Sequence, residues 1–263
     1  MEKQERLSRK IKRFLRRLGC PRWLHQYGPK TYELWHHVCA IVCMAALRLS
    51  LRRVVQWLSM FDIDVPTYSA LCKSRKRIPH ALLQKALALT AGATHSCVAI
   101  DSTGISKSNP SHHYIKRIDR ITPVRNYVKM SSLFDVEQRK FVALKVRMKP
   151  RHDLMDARHL LSKVQCSTLL ADRAYDSEKL HAYCWKRKIH ANIKPKLWAQ
   201  RGWNRKRQRK LFDEQLYHQR SLIESGQSAM KRKYGGFTLA KRIESIRAEA
   251  YCKAIAYNMR LLQ

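Results

Sequence analysis

Acidic side chains are what this chain most lacks. Its 263 residues include 19 Asp plus Glu against 54 Lys plus Arg, a formal net charge of +35 at pH 7 and a sequence pI near 10.4. Self-repulsion on that scale is relieved by a bound polyanion, and nucleic acid is the obvious one. A long hydrophobic run is also missing. The longest apolar stretch, Cys39 to Leu47 with Arg48 behind it, is too short to span a bilayer, so no membrane partner is expected. Met1 to Arg17 mixes basic residues with Glu2 and Glu5 and holds no uninterrupted apolar segment, so it does not read as a secretory signal; the protein is expected to stay in the compartment where it is made. No Cys-x-x-Cys occurs. The eight cysteines are scattered, mostly inside apolar segments, which argues against a disulfide scaffold and for reduced thiols in a cytosolic core. The one grouping of soft ligand types, His36, His37, Cys39 and Cys43, lies in an alanine-rich apolar run where cysteine serves as a small hydrophobe.

What is present divides near residue 92. Leu7, Ile11, Phe14, Leu15 and Leu18 recur at helical spacing among Lys and Arg, predicting an amphipathic basic helix over residues 1–18. A helical pattern follows from about Tyr32 to Ala46. Ser50 reads as the cap of a helix over Leu51 to Met60, and Thr67 as the cap of another over Tyr68 to Lys76. The second carries Lys73, Arg75, Lys76 and Arg77 toward solvent, so residues 1–92 read as a basic, all-helical region, either a helix-turn-helix DNA reader or a plain helical hairpin. Residues 93–263 read as α/β. Ser96 to Ile100 is a buried strand ending in Asp101 before a turn-prone Ser102-Thr103-Gly104, and residues 105–125 are basic and irregular. Tyr127 to Phe134 and Phe141 to Met148 form a hairpin, then come a helix over Met155 to Val164, a strand over Thr168 to Ala171 ending in Asp172, a helix over Glu178 to Lys188 and a strand over Ile189 to Ile193. Lys194 to Lys210 reads as a basic loop holding Trp198 and Trp203.

Beyond that loop, Tyr217, Arg220, Glu224 and Lys231 would project within an arc of roughly 60° on one continuous helix. Phe212, Leu216, Leu222, Ile223 and Met230 form its apolar side. An ion pair from Arg220 to Glu224 on a solvated face explains part of that row. The two strand-end aspartates give Glu224 a second reading. A crossover connection can place the first and fourth strands side by side in a mixed sheet, with Asp101 and Asp172 together at their carboxyl ends. Carboxylates that close repel unless they share a proton or a cation, and among so many phosphate-seeking cations a hard divalent ion is the natural partner, with Glu224 a third oxygen ligand. Asp176, Asp153 and Asp156 read instead as helix caps, and Asp135 and Glu137 as hairpin-turn residues.

The segments Ala99-Ile100-Asp101-Ser102-Thr103 and Leu170-Ala171-Asp172-Arg173-Ala174-Tyr175-Asp176, with Tyr217, Arg220, Glu224 and Lys231 at their spacing, resemble the DDE-type transposases of bacterial and archaeal insertion sequences, in the group with a Tyr-Arg-Glu-Lys signature. The likeness covers about residues 95–262. It implies a ribonuclease-H-like mixed sheet flanked by helices, two Mg²⁺ or Mn²⁺ ions on Asp101, Asp172 and Glu224, and phosphate contacts from Tyr217, Arg220 and Lys231. It further implies cut-and-paste transposition of double-stranded DNA, with terminal inverted repeats and target DNA as partners, a homodimer on DNA, and a nucleoid-associated protein of prokaryotic cytoplasm. Family members hold a flipped base on a tryptophan, which points to Trp198 or Trp203. The interval from Asp172 to Glu224 is too short for the β-rich insertion of some relatives. A nuclease of the same fold without strand transfer, and a catalytically silent DNA-binding protein, are the competing readings.

Overall fold

A computed structural model describes residues 2–27, 30–107, 127–149, 151–199 and 201–260. Five helices come first: α1 (Glu2–Arg17), α2 (Leu34–Leu47), α3 (Leu51–Ser59), α4 (Tyr68–Arg77) and α5 (His80–Ala91). The expected caps form, with Ser50 accepting from the Arg53 amide at 3.3 Å and Thr67 from that of Ala70 at 3.4 Å. The connection from α3 to α4, residues 60–67, is longer than the about 3–4 residues of a tight helix-turn-helix. Lys73, Lys76 and Arg77 are exposed as expected, but Arg75 is not. Its guanidinium is buried against the Met44 sulfur at 3.4 Å, so helical periodicity turns it inward and removes it from any DNA-facing row.

The sheet follows: β1 (Thr94–Lys107), β2 (Tyr127–Asp135), β3 (Lys140–Arg147), α6 (Leu154–Leu161), β4 (Gln165–Ala171), a single 3₁₀ turn (Arg173–Tyr175), α7 (Glu178–Lys186) and β5 (His190–Ile193). Strand order is β3-β2-β1-β4-β5, with β2 antiparallel to β1 and β4 parallel to it, a mixed sheet flanked by helices. β1 does not stop at Asp101 as its turn-prone residues predict. It pairs with β2 as far as Ser106 opposite Tyr127, and that partner overrides the local turn preference of Ser102-Thr103-Gly104. Most of the irregular stretch expected at 105–125 lies outside the described residues.

The remaining elements are α8 (Trp203–Lys210), α9 (Glu214–His218), α10 (Ser221–Tyr234), β6 (Phe237–Thr238) and α11 (Ile243–Arg260). The basic loop expected over Lys194 to Lys210 thus ends in a helix. The single helix expected to carry Tyr217 through Lys231 is broken at Gln219 and Arg220, where amides bond three residues back in place of four. α11 is buried nearly all round and knits the chain together. Tyr251 donates to the Leu144 carbonyl at 2.7 Å, and Asn258 brackets the Phe141 backbone at 2.8 and 2.7 Å. One hydrophobic core spans α1, α5, α10, α11 and one face of the sheet; a second fills the opposite face under α6 and α7.

Candidate active site

The ladder between β1 and β4 ends at Ala99 opposite Leu170, and β6 takes up that same edge of β1 only from Ser106. Residues 100–105 therefore border a gap in the sheet. Asp101 lies two residues beyond Ala99, and Asp172, still extended at φ −77°, lies two beyond Leu170. Because side chains alternate along a strand, both carboxylates project toward the face that Ala99 and Leu170 share, over which α10 packs. Gly226 lets α10 settle there: a Cβ at that position would stand 2.6 Å from the Phe134 ring.

Burial pushes the Asp101 carboxyl up to about 6. Ser102 and Arg220 oppose this, while Asp172 and Glu224 reinforce it. Three carboxylates and a guanidinium thus share one neighbourhood. Glu224, in the first turn of α10, is held by Arg220 at 2.5 Å, and its side chain is 54% exposed. Lys231, in the last turn of α10, donates to Thr103 Oγ1; burial lowers its pKa and Asp101 partly restores it. Tyr217 stands on α9 beside Arg220, with Lys194 over its ring at 4.9 Å. Glu224 and Lys231 on α10, and Arg220 just before it, thus stand near Asp101 at the gap, with Tyr217 on α9 next to Arg220.

Hard oxygen donors at adjacent strand ends match a divalent ion in chemistry. Among the described residues, however, no three His, Cys, Asp or Glu side chains stand close enough to enclose one, with Glu224 turned onto Arg220. Cys39 and Cys43 likewise belong to no such group.

Behind the gap runs a polar chain that sequence reasoning misses. The Tyr175 hydroxyl lies 3.4 Å from Ser102 Oγ, which lies 2.9 Å from Ser131 Oγ; Ser131 donates to Asp156 at 3.1 Å, and Arg147 Nε to Asp156 at 2.6 Å. Tyr175 follows Asp172 and Ser102 follows Asp101, so this chain ties the two carboxylate-bearing segments where no ladder does. Asp156 is therefore a buried ion-pair partner and not merely a helix cap. Asp176 is corrected similarly. It is buried, accepting from His181 at 3.0 Å, Arg205 at 2.9 Å and the Lys196 amide at 2.8 Å, while Ser177 caps α7. Asp135 is buried against His95 at 2.6 Å. The available signal was the density of polar residues directly after each strand-end aspartate.

Trp198, Trp203, Lys73 and Lys76 are exposed and not part of this cluster. Among the described residues no helix is long and apolar enough to cross a membrane.

Residues 92–259 match the family model described as the transposase DDE domain. A search of the curated proteins matches nothing. Among solved structures the chain is similar to a piggyBac transposase in a synaptic complex with hairpin DNA, at 10% identity and a TM-score of 0.44, over 95% of this chain and 71% of that one.

Proposed function

This chain belongs to the transposase DDE domain family, and on that premise we propose that Asp101, Asp172 and Glu224 are the carboxylates with which it cleaves DNA and transfers strands. The observation that carries the reading is the convergence on Asp101: a carboxyl raised to about 6 by burial, with two other carboxylates adding to the rise and Arg220 against it. Members of the family generally use divalent metal ions. Two Mg²⁺ or Mn²⁺ ions on the three carboxylates would activate the attacking water or 3′-hydroxyl and stabilise the leaving oxygen of an in-line displacement.

The chain's own residues prepare that step. The Tyr175–Ser102 contact sets the spacing of Asp101 and Asp172, and the buried Asp156–Arg147 pair beneath keeps the serines in place. Arg220 neutralises Glu224 at rest. When a scissile phosphate arrives, Arg220 turns to it with its fork of donors and Glu224 is freed toward the aspartates. Lys231, half-buried on Thr103, supplies a second cation to the same phosphate, and Tyr217 a hydroxyl. Trp198 suits an extruded base better than Trp203, whose ring already faces Trp185 and Arg207.

In this reading the sheet is a ribonuclease-H-like catalytic domain, residues 93–263. Residues 1–92 form a DNA-binding region in which α4 presents Lys73 and Lys76 to the duplex. The substrates are the terminal inverted repeats of an insertion sequence and its target DNA. Two ends handled at once require a homodimer, working on the nucleoid in prokaryotic cytoplasm. The test uses terminal repeats found by sequencing DNA around the gene. Purified protein is expected to nick the repeat duplex and join it to a second DNA only when Mg²⁺ or Mn²⁺ is supplied; Asp172→Asn that still cleaves would overturn the assignment.

A further inference from the structure

From Val54 to Cys72 a chain with 54 Lys plus Arg has no basic residue, yet it has Asp62 and Asp64. The structure puts the middle of that stretch outside. Met60 is 80% exposed and Phe61 55%, and the Phe61 ring lies 4.8 Å from that of Trp57, which is exposed as well. Val54 and Leu58 make the buried side of α3. On its other side Arg53, Trp57 and Met60 project within an arc of roughly 60°, with Arg52 beside them. We infer that this face of α3 is where two copies of the chain meet, antiparallel about a twofold axis.

The charges of α3 run against its own dipole. Arg52 and Arg53 occupy the first turn, where aligned peptides place positive potential, and Asp62 follows the last turn, where they place negative potential. Each end thus carries the sign it least favours. A second α3 laid antiparallel corrects both ends at once, bringing its Asp62 and Asp64 to Arg52 and Arg53 and opposing the two dipoles. The ends are held in place beforehand. Asp62 stands at φ +54°, and the Ile63 amide turns back to the Leu58 carbonyl at 3.1 Å, which keeps the aspartate at the helix end. Asp64 accepts from the Tyr32 hydroxyl at 3.2 Å, and the Arg52 guanidinium lies 4.7 Å over the Tyr68 ring.

Charge selects the occupant. A duplex is repelled by Asp62 and Asp64 and offers nothing to Met60 and Phe61. A partner must present cation, apolar surface and anion in the reverse order. This chain already does, because a face that runs from basic to acidic is its own complement under a twofold rotation. Over most of its surface a molecule of charge +35 repels its copy. On this face the two aspartates offset that repulsion, and Trp57, Met60 and Phe61 supply contiguous apolar area of the kind that marks an association site.

The inference rests on the proposed homodimer for its occupant but not on the three carboxylates, so assembly is read in EDTA, without cleavage. Sedimentation of the full chain in about 0.15 M salt compares the parent with two double variants, Arg52→Asp with Arg53→Asp and Asp62→Lys with Asp64→Lys. The parent is expected to dimerise. Each double variant should weaken the dimer at least about tenfold, since like charges then meet at both ends. An equal mixture of the two should restore it, because their ends are complementary again, and that rescue also shows that both variants fold. Met60→Ser with Phe61→Ser should weaken the dimer as well. Variants that dimerise as tightly as the parent, or a mixture that stays monomeric, would overturn the α3 contact and leave the homodimer standing. A parent monomeric both free and on a duplex would overturn contact and homodimer together. Loss of duplex binding by Arg52→Asp with Arg53→Asp, its dimer intact, would overturn the contact and give the face to DNA.

Discussion

Replacing Asp101 with Asn should abolish cleavage and yet make the metal-free protein more stable. The Asp101 carboxyl is displaced from 3.8 to about 6, with burial the largest cause. At neutral pH both the folded and the unfolded chain carry this carboxylate charged, so the displacement corresponds to about 3 kcal/mol against the fold. The sign follows from proton uptake. A carboxyl with a raised folded pKa binds its proton more readily in the fold than in the unfolded chain, so the cost is full above pH 6 and fades as pH falls toward about 4. Asn removes the charge and keeps the shape. In EDTA at about pH 7.5 the variant should melt about 6–12 °C above the parent, taking roughly 2–4 °C per kcal/mol for a chain of this size. At about pH 4.5 most of that difference should vanish. Adding Mg²⁺ should raise the melting temperature of the parent and not of Asp101→Asn, since an ion that binds only the folded state stabilises it by mass action. Differential scanning calorimetry at the two pH values, with and without Mg²⁺, measures all of this. A variant melting at or below the parent at pH 7.5, or a gain that persists unchanged at pH 4.5, would refute the argument that Asp101 is held against its own ionisation.

Two further substitutions probe the support of the site. Gly226→Ala drives a Cβ into the Phe134 ring, which lies in the core beneath α10, and should destabilise by about 1–3 kcal/mol in chemical denaturation, with cleavage reduced because Glu224 rides on the same helix. Arg147→Ala leaves the fully buried Asp156 carboxylate without its cation and should cost about 3–5 kcal/mol, whereas the double variant Arg147→Ala with Asp156→Ala should recover part of that loss. A double variant as unstable as the single would show that the serine contacts, not the stranded charge, dominate.

The parts of this site that could be read in the sequence are those whose position follows from a period. Asp101 and Asp172 end apolar runs, and a strand's two-residue alternation together with a parallel crossover suffices to put both on one face. One helix is expected to carry Tyr217, Arg220, Glu224 and Lys231; Tyr217 falls on α9, Glu224 and Lys231 on α10, and Arg220 between the two. Gln219 and Arg220 keep helical dihedral angles across the break, and Arg220, Glu224 and Lys231 stand near Asp101. What could not be read depends on partners distant in sequence. Arg75 looks like a solvent cation until Met44 covers it. Asp176 looks like a cap until Arg205 and the Lys196 amide converge on it from a segment with no legible structure of its own. Ser102-Thr103-Gly104 looks like a turn until β2 pairs along its whole length. In each case local chemistry offers two acceptable states, and a contact made elsewhere in the chain chooses between them. The same holds for Glu224, which the structure pairs with Arg220 one helical turn away. Under the proposed function that pair would be the resting state, given up when a phosphate offers the guanidinium a better acceptor and leaves the carboxylate to a metal ion.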